Sequence, residues 1–176
     1  IVHNGIIENH AELRTRLEDE GFTFTSETDT EVIAHLLANT LTKESDLLKA
    51  VQSARKSLVG AYALAVVSPD DAERMVVARA GSPLVIGVGL GEHYIASDVF
   101  ALLPVTQRFI FLEEGDIAEI RRETVTIYDQ NGEQVEREIR ESQLAATTAD
   151  KGPYKHYMLK EIFEQPGVIA ETLEGR

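Results

Sequence analysis

Apolar residues in the first third of the chain recur at helical spacing, and in the middle third they fall in short, nearly continuous blocks. Glu8 to Glu20 carries Leu13 and Leu17 one turn apart, and Gly21 follows as a C-cap. Thr28-Asp29-Thr30-Glu31 stands before Val32-Ile33-Ala34-His35-Leu36-Leu37, a capping-box pattern leading into an amphipathic helix. A further helix, Lys43 to Leu58, gathers Leu47, Leu48, Val51 and Ala54 on one face. Around these helices, Ile1 to His3 reads as the end of a strand and Phe22 to Thr25 as a short strand of its own.

From Gly60 the period changes. Ala61 to Val67 is almost wholly apolar and stops at the turn signal Ser68-Pro69-Asp70-Asp71. Met75 to Ala78, Leu84 to Val88, His93 to Ala96, Phe109 to Leu112, Asp116 to Ile120, Thr124 to Tyr128 and Gln134 to Ile139 follow as strands. A short helix is expected near Val99 to Leu103, and Asn131-Gly132 reads as a tight hairpin turn. Strands apolar on both faces belong to covered sheets, so the pattern predicts an α+β layered domain of mostly antiparallel sheets. Ser142 to Pro153 is small and polar, as a linker is. Tyr154 to Gln165 then resumes as a helix, Pro166 is expected to stop it, and another helix starts near Val168. The expected organisation is a domain over 1–145, then a linker and first helices over 146–176.

Composition narrows the function. With 176 residues and 43% hydrophobic content the chain can bury one substantial core. A formal charge of −13, with no basic cluster longer than Arg121-Arg122, excludes a nucleic-acid surface. No apolar run approaches the roughly 18 residues of a membrane span. The absence of cysteine excludes disulfides and thiolate metal sites within these residues, and it agrees with a cytoplasmic setting. The histidines at 3, 10, 35, 93 and 156 have no metal-ligand spacing, and the acidic turn Glu113-Glu114-Gly115-Asp116 supplies too few ligands for a cation.

One pair of residues carries candidate chemistry. Asn4-Gly5, after a short apolar run, can present a side-chain amide and a backbone N–H, the two kinds of donor that hold a developing oxyanion. Taken alone, Asn-Gly is a turn, and Asp29 alone is a helix cap. The pieces gain meaning from their order. His3-Asn4-Gly5-Ile6-Ile7-Glu8-Asn9 comes first, then Ser26-Glu27-Thr28-Asp29-Thr30-Glu31, then Arg79-Ala80-Gly81-Ser82-Pro83-Leu84-Val85-Ile86-Gly87. Ile95-Ala96-Ser97-Asp98 and Phe111-Leu112-Glu113-Glu114-Gly115-Asp116-Ile117 complete the series, and His156 to Pro166 ends it. Over essentially its whole length the chain closely resembles the glutaminase domains of the glutamine–fructose-6-phosphate aminotransferase family, class II amidotransferases. The stretch from His156 looks like that family's connector into a sugar-isomerase domain.

The resemblance implies the four-layer αββα sandwich of an N-terminal nucleophile hydrolase. It also implies an N-terminal cysteine that attacks the glutamine amide with its own α-amino group as base. In that scheme Asn4 and Gly5 form the oxyanion hole and Asp29 binds the α-ammonium of glutamine. Ammonia passes on to convert fructose-6-phosphate to glucosamine-6-phosphate, with no metal or organic cofactor, in a full-length homodimer. The nucleophile, the arginine for the α-carboxylate and a closing loop are not in this chain. It therefore reads as an N-terminally truncated piece, inactive by itself. Two alternatives stand beside this reading: another class II amidotransferase, and a non-catalytic binding module derived from one.

Overall fold

The computed structural model describes residues 1–142 and 151–173. The first compact unit, Ile1–Gln143, is built from ten strands and three helices among the described residues. Its elements run β1 (Val2–Ile7), α1 (His10–Asp19), α2 (Asp29–Leu41), α3 (Leu47–Ala54), β2 (Gly60–Ser68), β3 (Asp71–Ala80), β4 (Val85–Val88) and β5 (His93–Ala96). A single 3₁₀ turn, Val99–Ala101, precedes β6 (Arg108–Phe111), β7 (Ile117–Arg121), β8 (Val125–Tyr128), β9 (Gln134–Val135) and β10 (Ile139–Glu141).

The strands form two sheets, both antiparallel throughout. One has the order β1-β2-β3-β7-β8-β9 and the other β10-β6-β4-β5. Side-chain alternation along β2 explains the layers. Tyr62, Leu64 and Val66 face α1, α2 and α3 and join Leu13, Leu17, Val32, Ile33, Leu36 and Val51 in one core. Ala63 and Ala65, on the opposite face, meet Ile86 and Ile110 of the second sheet and Leu112 just beyond it. Outside that sheet, Val85 and Phe109 pack on Leu102 and Leu103, which follow the 3₁₀ turn. The outcome is the expected sandwich, with its outermost helical layer reduced to that turn and the residues behind it among those described.

Several expectations need correction. Phe22 to Thr25 is not a strand: it joins neither sheet, and both phenyl rings lie against the His35 imidazole of α2, at 5.2 and 4.5 Å between centroids. The helix expected from Lys43 begins at Leu47, because the Asp46 carboxylate caps the Lys49 N–H at 3.0 Å, and it gives way to a 3₁₀ turn at Arg55. Gln134 to Ile139 is two strands in different sheets. Between them Arg137 donates two hydrogen bonds, both 2.9 Å, to the fully buried Asp116, and this fixes the crossover. The α1 ending matches its pattern, with the Gly21 N–H bonded to the Glu18 carbonyl and the Phe22 N–H to that of Leu17.

In the second unit, α4 (Tyr157–Leu173) is one helix with Pro166 inside it, not two helices separated at the proline. A proline deletes one backbone bond, whereas ending a helix and nucleating another forfeits several. Most of the linker expected from Ser142 lies outside the described residues.

Candidate active site

β1 is an edge strand: among the described residues it pairs with β2 alone, from Val2 opposite Ala65 to Ile7 opposite Gly60. Sequence reasoning ended this strand at His3, but it continues through Asn4-Gly5 to Ile7. The Asn-Gly step is therefore not a turn. It survives in a strand because Gly5 takes φ +129°, and a Cβ there would lie 2.1 Å from the Ala61 carbonyl oxygen and 2.7 Å from the Tyr62 Cα. Only glycine fits so close to the neighbouring backbone. Gly60 repeats the arrangement from the other side, its missing Cβ aimed at the Ile6 carbonyl oxygen.

Alternation divides the side chains of β1. Ile7 is fully buried against the helices, and the His3 ring is 2% exposed on the same side. Asn4, opposite Ala63, is exposed. Asp29, the first residue of α2, reaches back to this strand: its Oδ2 accepts the Ile7 N–H at 2.9 Å, and its Oδ1 lies 3.6 Å from His3 Nδ1. That same His3 nitrogen is 3.0 Å from Thr30 Oγ1. Thr28 is the helix cap, its hydroxyl accepting the Glu31 N–H, so the Asp29 carboxylate is spared that task.

Glu31 departs from the reciprocal capping box. Its carboxylate leaves the Thr28 N–H and accepts from the backbone N–H and hydroxyl of both Thr25 and Ser26, at 2.5 to 2.9 Å. These bonds, the Ser26 hydroxyl foremost, hold its carboxyl well below the usual carboxylate range, at about 2. Arg14 completes the strap, with its guanidinium 4.4 Å from the Phe24 ring centroid and one N–H on the Ser26 carbonyl at 2.8 Å. The loop before Asp29 is thus tied down from two helices.

The remaining singled-out motifs serve the frame. Both Glu114 carboxylate oxygens accept the Gly81 N–H at 3.0 Å, and Arg79 donates to the Leu112 carbonyl. Asp98 caps the 3₁₀ turn through the Phe100 N–H at 2.8 Å. A cleft of about 280 Å³ opens among Arg79, Ser97, Asp98 and Phe100. Another cleft, about 760 Å³, lies at the Val67, Met75 and Ile120 end of the sandwich, away from Asn4 and Asp29. There Arg74 is committed to Asp46, Asp71 and Glu119.

Of the three residues singled out from the sequence, the fold brings Gly5 and Asp29 to one short stretch of β1, with Asn4 beside them. Sequence reasoning missed His3 and the Ile7 N–H. A strand drawn on to Ile7 would have found both, since period-two alternation puts positions 3, 5 and 7 on one face.

Comparison with known proteins identifies the family. A family model described as a glutamine amidotransferase domain matches residues 1–104, which include all three positions. Proteins named glutamine–fructose-6-phosphate aminotransferase [isomerizing] from Shewanella oneidensis, Vibrio cholerae and Pseudomonas putida are each 58% identical over all 176 residues. The chain spans 29% of the length of each. Among solved structures, the glutamine phosphoribosylpyrophosphate amidotransferase from B. subtilis, complexed with ADP and GMP, matches with a TM-score of 0.60 and 30% identity over 73% of this chain and 28% of its own. A structure described as the allosteric regulatory enzyme of purine biosynthesis matches at 0.59, also with 30% identity.

Proposed function

This chain belongs to the glutamine amidotransferase domain family, and from that premise we propose that it is part of the glutaminase half of a glutamine–fructose-6-phosphate aminotransferase. The observation that carries this reading is the Asp29 carboxylate, held on the Ile7 N–H two residues beyond Gly5 on an edge strand. An anionic group and a run of strand backbone so close together suit a zwitterionic amino acid whose side-chain amide lies along the strand.

In this reading the α-ammonium of glutamine pairs with Asp29. A cysteine thiolate from outside this chain forms a carbon–sulfur bond at the side-chain amide carbon, whose oxygen takes up the negative charge. The Asn4 amide and the Gly5 N–H donate to that oxygen. Backbone N–H groups alternate in direction along an antiparallel strand. Since the Ile7 N–H turns to Asp29 and not to β2, the Gly5 N–H takes the same outward sense. The terminal α-amino group passes the proton it took from the thiol to the amide nitrogen, collapse of the intermediate expels ammonia, and water releases glutamate from the thioester. Ammonia goes on to convert fructose-6-phosphate to glucosamine-6-phosphate in the part of the enzyme beyond this chain. The reading requires no metal or organic cofactor. A cytoplasmic homodimer of the full-length protein belongs to it; no described helix is long and apolar enough to cross a membrane.

Glutamate release from glutamine tests the proposal. It is measured on this chain and on the chain preceded by the upstream segment of the Shewanella oneidensis relative. Activity in the extended protein only, abolished by replacing its terminal cysteine with alanine, is the expected result. Silence from a folded extended protein would instead favour a binding module, and glutamate release by the chain alone would contradict the division of the active site.

A further inference from the structure

Among the described residues, four buried side-chain atoms have no hydrogen-bond partner, and one of them, His3 Nε2, belongs to the residue preceding Asn4. The other ring nitrogen, Nδ1, lies 3.0 Å from Thr30 Oγ1 and 3.6 Å from Asp29 Oδ1. A buried N–H without an acceptor is rarer in folded proteins than a buried lone pair without a donor. The tautomer that satisfies this rule carries its proton on Nδ1 and leaves Nε2 bare. Nδ1–H then donates to Thr30 Oγ1 and leans on Asp29 Oδ1.

From this geometry we propose that His3 is a positioning residue for glutamine binding. Resting on the function proposed above, it holds the first turn of α2 through Thr30, and so sets the Asp29 carboxylate with Oδ1 available to the substrate ammonium. The two Asp29 oxygens are divided: Oδ2 is occupied by the Ile7 N–H and Oδ1 is the one beside His3. Asp29 of α2 is the charged group in contact with the ring among the described residues. β2 presents the apolar Leu64 opposite His3, and Thr30 is uncharged. His3 does not donate to the oxyanion, so its effect falls on substrate binding and leaves the chemical step unchanged.

The test uses a full-length enzyme in which this chain replaces the matching segment of the Shewanella oneidensis relative. His3→Leu keeps the bulk and removes both nitrogens, while His3→Asn keeps a donor near the place of Nδ1. We expect His3→Leu to raise the glutamine KM about tenfold, the usual worth of one such hydrogen bond. It should leave kcat within about twofold, and His3→Asn should restore KM to within about threefold. Thermal melts confirm that each variant is folded. Should His3→Leu fail to fold, His3→Gln, whose amide reaches past the place of Nδ1 and loses the Thr30 bond, takes its place and should raise KM likewise. An unchanged KM in His3→Leu, a fall in kcat without a change in KM, or a KM in His3→Asn no lower than that in His3→Leu would overturn the proposal. Asp29→Asn, assayed alongside, separates the two readings: if it too leaves KM unchanged, the role given to Asp29 has failed, and not merely that of His3.

Discussion

The Asp29 carboxylate and the Ile7 backbone N–H, 22 residues apart in sequence, meet at 2.9 Å and join the first turn of α2 to the last residue of β1. This bond sets where a negative charge stands relative to Asn4 and Gly5. Removing the charge while keeping an oxygen acceptor separates its two uses. Asp29→Asn should keep the fold, because an amide oxygen still accepts from Ile7, and should raise the glutamine KM of the full-length enzyme roughly 10- to 100-fold, as a charged hydrogen bond is worth. Steady-state kinetics paired with circular dichroism would check both halves.

Asn4 carries the complementary expectation. It is exposed on its strand, so Asn4→Ala should leave stability nearly unchanged. Loss of one oxyanion donor lowers kcat by about 10² to 10³ with little change in KM. A variant that binds glutamine more weakly but turns it over normally would assign Asn4 to binding.

Gly5 cannot be tested in the same way, because its backbone is the constraint. Gly5→Ala puts a methyl group 2.1 Å from a carbonyl oxygen at φ +129°, so strand β1 must move. The cost should reach about 3 kcal/mol, read as a lower urea midpoint. An unaltered midpoint would mean that β1 and β2 part at little cost, and that the close approach is not needed for the fold.

The Glu31 strap predicts a pH dependence with a definite sign. Its carboxyl is lowered from about 4.5 to about 2 in the folded chain, so the folded state binds fewer protons than the unfolded state between those values. The contribution is complete above pH 4.5 and is lost as pH falls through 2. Thermal melts from pH 6 to pH 2 should show Glu31→Gln losing less stability on acidification than the parent chain. Parallel curves would remove Glu31 as the cause.

Asp116 and Arg137 form the buried ion pair at the crossover between sheets, and Asp116 also accepts the Glu113 N–H at 2.8 Å. The carboxylate in turn raises the pKa of the Arg137 guanidinium, through the hydrogen bond first and the charge second. Asp116→Ala should cost about 2 to 3 kcal/mol, because it removes the two hydrogen bonds to Arg137 and leaves that cation with the exposed Glu113, 3.2 Å away. Replacing both residues with apolar ones of similar volume should recover much of that loss in chemical denaturation. Equal losses in the single and the double variant would show that the pair's geometry, not the cation left behind, matters.

Much of this was legible in local pattern. The α2 start is written in Thr28 and Glu31, and the apolar blocks from Ala61 onward set strands buried on both faces, because each reflects an interaction within a few residues. Three of the misreadings share one cause, a partner outside the local pattern. Phe22 and Phe24 alternate as a strand does but are claimed by His35. Gln134 to Ile139 looks continuous, but Arg137 is held at Asp116, 21 residues away. Asn4-Gly5 looks like a turn until β2 lies alongside it.

What the sequence alone determined was the class of the fold, the position of the helix cap and the identity of the three candidate residues: spacing, capping chemistry and resemblance act through neighbours along the chain. Their meeting was a tertiary decision. Only when β1 runs on to Ile7 and α2 crosses its face does Asp29 reach the Ile7 N–H, and only then does His3 come to lie beside the carboxylate. The strand and the helix are separated by α1 and a loop. Their contact is fixed by the burial of Ile7 with Val32 and Ile33 in one core, and no local pattern encodes that distance.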